Sequence, residues 1–205
     1  MRSAYAPILR IAPEGWLLIS LLALAAFLAY EADRLPLALL LALPLPLLAH
    51  YTRDFEPHGA AKPLGVLAPV DGRVCFRREC HDPWLGREAI RIGIAVGFWS
   101  NYLLRAPVEG ELQSVPGAAR GVSRIHTDEG DDILVVLARG WLFGARPVWV
   151  SFGERLGQGR PCGLRRLALQ IDVYLPAESR VEVTLGQTIR CGETVLATLL
   201  RRTER

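Results

Sequence analysis

Two uncharged apolar runs, separated by only four residues, constrain this chain more than any other feature. Residues 16–30 read WLLISLLALAAFLAY and residues 35–50 read LPLALLLALPLPLLAH, with Glu31, Asp33 and Arg34 between them. Neither run has a polar face, so each must be hidden from water all round. The pattern predicts an N-terminal membrane helical hairpin. Each run is shorter than the ~20 residues that span a bilayer, so flanking residues extend it or the hairpin is re-entrant. Trp16, Tyr30 and Tyr51 stand where interfacial aromatics stand. A cleaved signal peptide and a buried helical hairpin are the competing readings. Arg2 and Arg10 precede the first run, the turn is net acidic, and Arg53 and Lys62 follow the second. The positive-inside rule then places both ends in the cytoplasm. The expected location is the cell inner membrane, with the remaining chain on the cytoplasmic side.

The pattern changes beyond Leu64. Short β-branched runs at 90–96, 133–138, 147–151, 167–175 and 181–184 alternate with Gly-bearing turns, which predicts an all-β or β-rich domain. The division expected is 1–57 for the hairpin and juxtamembrane segment and 58–205 for the β domain. Val148, Val150, Gly153, Leu156 and Gly159 are matched 33 residues later by Val181, Val183, Gly186, Ile189 and Gly192. The shared template is V-x-V-x-x-G-x-x-[LI]-x-x-G. Each copy reads as a strand, a glycine turn, one apolar anchor and a second glycine turn. Two copies predict a lipoyl/biotinyl-like barrel with an internal two-fold repeat; a solenoid needs about three or more. Carrier chemistry is excluded, because the only lysine, Lys62, precedes the barrel.

A formal charge of +3 gives no footprint for nucleic acid. Cys75, Cys80, Cys162 and Cys191 form no C-x-x-C and have no His at zinc-ligand spacing, so no metal site is expected. Free thiols of a reducing compartment are the reading. The stretch Asp128-Glu129-Gly130-Asp131-Asp132 lacks EF-hand spacing and reads as a solvated loop. His126 precedes it and is a base only in principle.

Glu14-Gly15-Trp16, Ala68-Pro69-Val70-Asp71-Gly72-Arg73-Val74 and Ile171-Asp172-Val173-Tyr174-Leu175-Pro176, standing in this order with the segments between them, together resemble the short, membrane-bound, pyruvoyl-dependent type of phosphatidylserine decarboxylase. Glu14-Gly15-Trp16 opens the hairpin, and Arg53-Asp54 with Pro57 follows it. Ala68-Pro69-Val70-Asp71-Gly72-Arg73-Val74 is close to the family's P-A-D-G-R-V. Arg105-Ala106-Pro107-Val108-Glu109-Gly110 is similar to its N-R-A-P-x-x-G. Ile171-Asp172-Val173-Tyr174-Leu175-Pro176 is nearly its V-D-V-Y-L-P, and Gly186-Gln187 with residues 192–197 matches its C-terminal motif. The resemblance implies phospholipid metabolism and phosphatidylethanolamine synthesis.

The same resemblance implies a chemistry that needs one residue. In the family a Gly-Ser bond cleaves itself: the serine oxygen attacks the preceding carbonyl, the ester eliminates, and the new N-terminus becomes a pyruvoyl group. The matching positions here are Ala168 and Leu169. Leucine has neither a nucleophilic oxygen nor a β-leaving group. None of the 19 glycines is followed by Ser, Thr or Cys, and Cys162 lies outside the matched position. The family's base pair is halved: Asp71 is retained, or is only an Asp-Gly turn residue, and Tyr102 stands in the histidine region. No intact catalytic set and no cofactor are expected. The reading is a non-catalytic membrane paralogue that binds membrane phospholipid, forms a homo-oligomer or partners an active decarboxylase. The alternatives are an active decarboxylase processed at an unrecognised site, and a barrel-based adaptor that uses its strand edges.

Overall fold

The computed structural model describes residues 10–11, 13–51, 53–54, 62–97, 100–117, 121–139, 148, 150–165 and 168–200. Arg2 and Pro57, and residues 147, 149 and 167 of the expected strand runs, lie outside them. The chain divides into two compact units, Met1–Glu56 and Pro57–Arg205.

The first unit contains β1 (Arg10–Ile11), α1 (Pro13–Glu31), α2 (Leu35–Ala42), α3 (Leu45–Tyr51) and β2 (Arg53–Asp54), with β1 and β2 antiparallel. The helix α1 stops because Asp33 takes a left-handed conformation (φ 56°). The Asp33 N–H then donates to the Tyr30 carbonyl (3.0 Å) and the Arg34 N–H to that of Ala29 (3.0 Å), a Schellman closure. The second apolar run is broken near Pro44 and Pro46, which have no N–H to continue a helical ladder. It yields helices of 8 and 7 residues, about 12 Å and 10 Å long, against a hydrocarbon core of about 30 Å.

Among the described residues, no helix is long and apolar enough to cross a membrane. This corrects the membrane hairpin, and with it the membrane-bound type, the inner-membrane location and the membrane phospholipid partner that were read from it. The apolar runs form a short helical unit instead, with Trp16, Leu17, Leu21, Leu39 and Leu43 exposed on it.

The second unit is built on strands β3 (Gly65–Leu67), β4 (Gly72–Asp82), β5 (Arg87–Ala95), β6 (Leu103–Arg105), β7 (Gly110–Gln113), β8 (Val122–His126), β9 (Asp132–Arg139), β10 (Arg155–Leu156), β11 (Pro161–Leu164), β12 (Gln170–Pro176), β13 (Arg180–Val181), β14 (Thr188–Ile189) and β15 (Val195–Thr198). Eight of them form one sheet in the order β10-β7-β8-β9-β12-β5-β4-β14. Strands β6 and β11 pair separately, as do β13, β15 and β3. The central strand β12 is antiparallel to both β5 and β9. Its alternation explains the core: Ile171, Val173 and Leu175 enter the main cluster with Ile92, Ile94, Ile133 and Val135. Tyr174 on the opposite face joins Ala89, Leu134 and Val136.

The expected closed barrel is corrected to an open sheet. Its terminal strands β10 and β14 are two residues long, and each pairs on one side only. They are also the anchors of the two repeat copies, placed at opposite edges. Glycine turns on both sides keep them this short. Gly153 and Gly186 have φ of 85° and 79°, and Gly159 and Gly192 have 73° and 71°, values costly for any residue with a Cβ.

The repeat extends to its partners. The Gly153 N–H donates to Leu112 O and the Gly186 N–H to Val74 O, both at 2.8 Å. The Gly159 N–H donates to Ala106 O and the Gly192 N–H to Ala68 O, again both at 2.8 Å. The receiving segments are themselves alike: A-P-V-D-G-R-V at 68–74 and A-P-V-E-G-E-L at 106–112. The run at 147–151 is represented among the described residues by a single bridge, Val148 to Gly163. The run at 181–184 keeps strand geometry only at Val181, in β13.

Candidate functional site

Asp71, Tyr102, Ala168 and Leu169 gather at one end of the sheet. Arg73 of β4 and Gln170 of β12 are both register partners of Ala95 in β5. Asp71, two residues before Arg73, and Leu169, one before Gln170, therefore precede strands that start level. Those strands lie two spacings apart, about 10 Å. The Arg165 N–H donates to the Tyr102 carbonyl at 3.0 Å, which brings the backbone of Tyr102 beside the turn that carries Ala168 and Leu169.

Gly72 must be glycine for a steric reason. A Cβ there would stand 2.5 Å from the Ala95 carbonyl oxygen and 2.8 Å from Ile94 Cγ2. The Asp71-Gly72 pair therefore fits a backbone packed against its neighbour. The Asp71 carboxylate accepts the Cys191 N–H at 2.7 Å, and so ties down the second repeat's closing turn.

At the cleavage position, the Ala168 N–H donates to Arg165 O (2.8 Å) and the Val96 N–H donates to Leu169 O (2.8 Å). Ala168 is wholly buried, whereas Leu169 is 49% exposed. The side chain of Arg165 is a large, wholly buried cationic group. Its Nη1 donates to the Ala168 carbonyl at 3.1 Å and its Nη2 to the Ser100 carbonyl at 2.9 Å. Carbonyl oxygens thus replace the water at both terminal nitrogens of this buried guanidinium, while its Nε has no hydrogen-bond partner among the described residues. Sequence reading missed Arg165, because nothing in Leu164-Arg165-Arg166 distinguishes a buried arginine from a surface one.

Three residues after Leu169, on β12, the buried Asp172 carboxylate is held by Arg91 of the neighbouring β5. Nε donates to Oδ2 at 3.0 Å and Nη2 makes a shorter contact with the same oxygen. Gln170 Nε2 donates to the other oxygen at 2.9 Å. The Arg91 guanidinium also lies 5.1 Å from the Phe76 ring centroid and 5.4 Å from that of Tyr174, so its charge is supported on two sides. This group locks the start of β12 to β5.

The other candidates fall elsewhere. His126 donates or accepts at Asp132 Oδ1 through Nδ1 (2.9 Å). Asp132 opens β9, and Arg139 at its far end pairs with Gln170. His126 is therefore roughly 24 Å along the strand from Leu169. Burial pushes the Asp132 carboxyl up, but hydrogen bonds from Arg124 and His126 outweigh it and hold the group below its ordinary range. Asp128 pairs with Arg155, and the Asp131 N–H donates to Thr127 Oγ1 at 3.0 Å. Among the described residues, no group of three His, Cys, Asp or Glu side chains is placed to hold a metal ion. The Cys162 thiol contacts Leu104 O at 3.5 Å. Burial pushes it up to about 12, with Arg105 pulling weakly the other way, so it is no thiolate nucleophile at neutral pH.

A pyruvoyl group would have to be made from residue 169 itself. A hydrocarbon side chain does not fit that requirement.

No protein-family model matches the chain. It is similar along nearly its whole length to curated phosphatidylserine decarboxylase proenzymes. Those of Burkholderia vietnamiensis and Burkholderia multivorans are each 31% identical over 205 residues, covering 92% of this chain and 96% of the relative. That of Burkholderia mallei is 31% identical, covering 92% of this chain and 95% of its own length.

Proposed function

The chain belongs to the phosphatidylserine decarboxylase family, and from that premise we propose that it is an unprocessed relative in phospholipid metabolism that does not decarboxylate through a self-made pyruvoyl group. The single observation that carries this reading is Leu169. The position precedes the strand that holds the family-like Ile171-Asp172-Val173-Tyr174-Leu175-Pro176. Its side chain has no atom that can attack the Ala168 carbonyl and none that can leave afterwards.

Three further observations support the same reading. The relatives are named proenzymes, a word that fits proteins made active by processing, and this chain lacks the residue for it. Cys162, the nearest thiol upstream, is buried and held protonated. His126, a base in principle, stands at the far end of the sheet. Asp71 holds the Cys191 N–H and the Tyr102 carbonyl holds that of Arg165, so both read as parts of the framework.

The test is direct. Purified full-length chain is incubated with phosphatidylserine labelled in the carboxyl carbon and dispersed in detergent, and released carbon dioxide is counted. Release at the level of a protein-free control is the expected result. Release that grows with protein concentration and is stopped by a carbonyl reagent overturns the proposal.

A further inference from the structure

We infer that Arg165 has kept the electrophilic half of the cleavage site: its guanidinium polarises and orients the Ala168 carbonyl, the group attacked in a self-cleaving chain. The inference rests on the reading that Ala168 and Leu169 occupy the cleavage position, and adds a role that this reading does not contain.

The geometry favours more than simple filling of space. Arg165 holds residue 168 from both sides: its own carbonyl accepts the Ala168 N–H (2.8 Å), and its Nη1 donates to the Ala168 carbonyl oxygen (3.1 Å). The second nitrogen, bound to Ser100 O at 2.9 Å, fixes the plane of the guanidinium. The backbone N–H bond from Arg165 to Tyr102 O (3.0 Å) fixes its base. Arg165 is wholly buried, so its donor acts without competing water. A cationic donor on a carbonyl oxygen stabilises the negative charge that builds there when a nucleophile adds. Leu169, at 49% exposure, presents its Cβ where a nucleophilic atom can be introduced without repacking the core. The site is an armed carbonyl lacking an attacker.

A thiol supplies the attacker most simply, because it needs less help from a base than a hydroxyl does. In a Leu169→Cys chain the sulfur adds to the carbonyl carbon of residue 168. The carbon–nitrogen bond breaks as the carbon–sulfur bond forms, and the thiol proton passes to the freed amine. Hydroxylamine, supplied as the trapping nucleophile, then attacks the thioester. A carbon–nitrogen bond forms, the carbon–sulfur bond breaks, and the thiol regains a proton. The products are residues 1–168 ending in a hydroxamate and a fragment starting at residue 169.

The experiment follows this cleavage by intact mass in neutral hydroxylamine, with thermal melting to establish cooperative folding. The Leu169→Cys chain is expected to give both fragments, faster when folded than in urea. Adding Arg165→Gln is expected to slow the folded chain by at least about tenfold, since removing one such donor costs roughly a hundredfold or more in oxyanion sites. Arg165→Lys, which keeps a cation, is expected to fall between. No cleavage of folded Leu169→Cys, or a rate within twofold when Arg165→Gln is added, overturns the inference. If Arg165→Gln does not fold, Arg165→Lys decides: a slower rate upholds the inference and an equal rate overturns it. The unsubstituted chain is run alongside. Its cleavage would refute the unprocessed reading, whereas an intact parent with an inert Leu169→Cys refutes only the role of Arg165.

Discussion

Substituting Asp172→Asn isolates the most buried carboxylate ion pair of the central strand β12. The carboxylate is buried and accepts from Arg91 and Gln170. Removing its charge leaves Arg91 with no carboxylate against it, and breaking a fully buried pair costs about 3–5 kcal/mol. Arg91 is not fully buried: its side chain is 22% exposed, and the rings of Phe76 and Tyr174 continue to support its charge. Those two effects reduce the cost to about 2–3 kcal/mol. For a domain of this size that is a fall in Tm of roughly 4–12 °C. Thermal unfolding followed by near-ultraviolet circular dichroism, repeated in urea, measures it. Replacing both partners, with Arg91→Met and Asp172→Leu, is expected to recover most of the loss, because an apolar pair leaves no buried charge behind. A loss below about 0.5 kcal/mol for Asp172→Asn, or a double variant no better than the single one, refutes the reasoning.

Three further outcomes follow from the same geometry. Asp132 titrates below the ordinary carboxylate range, so the stability it confers is complete above that range and is lost as pH falls through the depressed value. Asp132→Asn should therefore flatten the acid limb of a stability-against-pH curve, and an unchanged limb contradicts the assignment. Cys75 is exposed, whereas Cys162 is buried and shifted up to about 12. Maleimide at pH 8 should label Cys75 in the folded chain and reach Cys162 only after unfolding; early labelling of Cys162, read by peptide mass, contradicts this. Gly72→Ala should lower stability by about 1–3 kcal/mol in urea titration, because its Cβ meets the Ala95 carbonyl. A neutral result removes the steric account of the Asp71-Gly72 pair.

Much of the β unit was legible. The β-branched run ending at Leu175 marks a strand, here β12 and buried on both faces, and each copy of the glycine template marks two turns that need left-handed backbone. Closure was not legible. Which edges β10 and β14 join depends on pairing with Gly110-Glu111 and Gly72-Arg73, residues far away in the chain. The second pair of like segments, 68–74 and 106–112, shares A-P-V-[DE]-G but lies outside the V-x-V template. The second apolar run misled because hydropathy counts side chains, whereas helix length there is decided by the backbone: the prolines divide it into helices of 8 and 7 residues. Arg165 was beyond reach for a related reason. The carbonyls of Ser100 and Ala168 accept from its guanidinium, and Ser100 lies far from it in the chain.

The central claim concerns what becomes of the bond between Ala168 and Leu169, and the mass of the chain purified from cells reads that bond directly. One species at 22.6 kDa that retains Leu169 is the predicted result. Two fragments, the second opening on a keto-acyl group instead of an amine, contradict it.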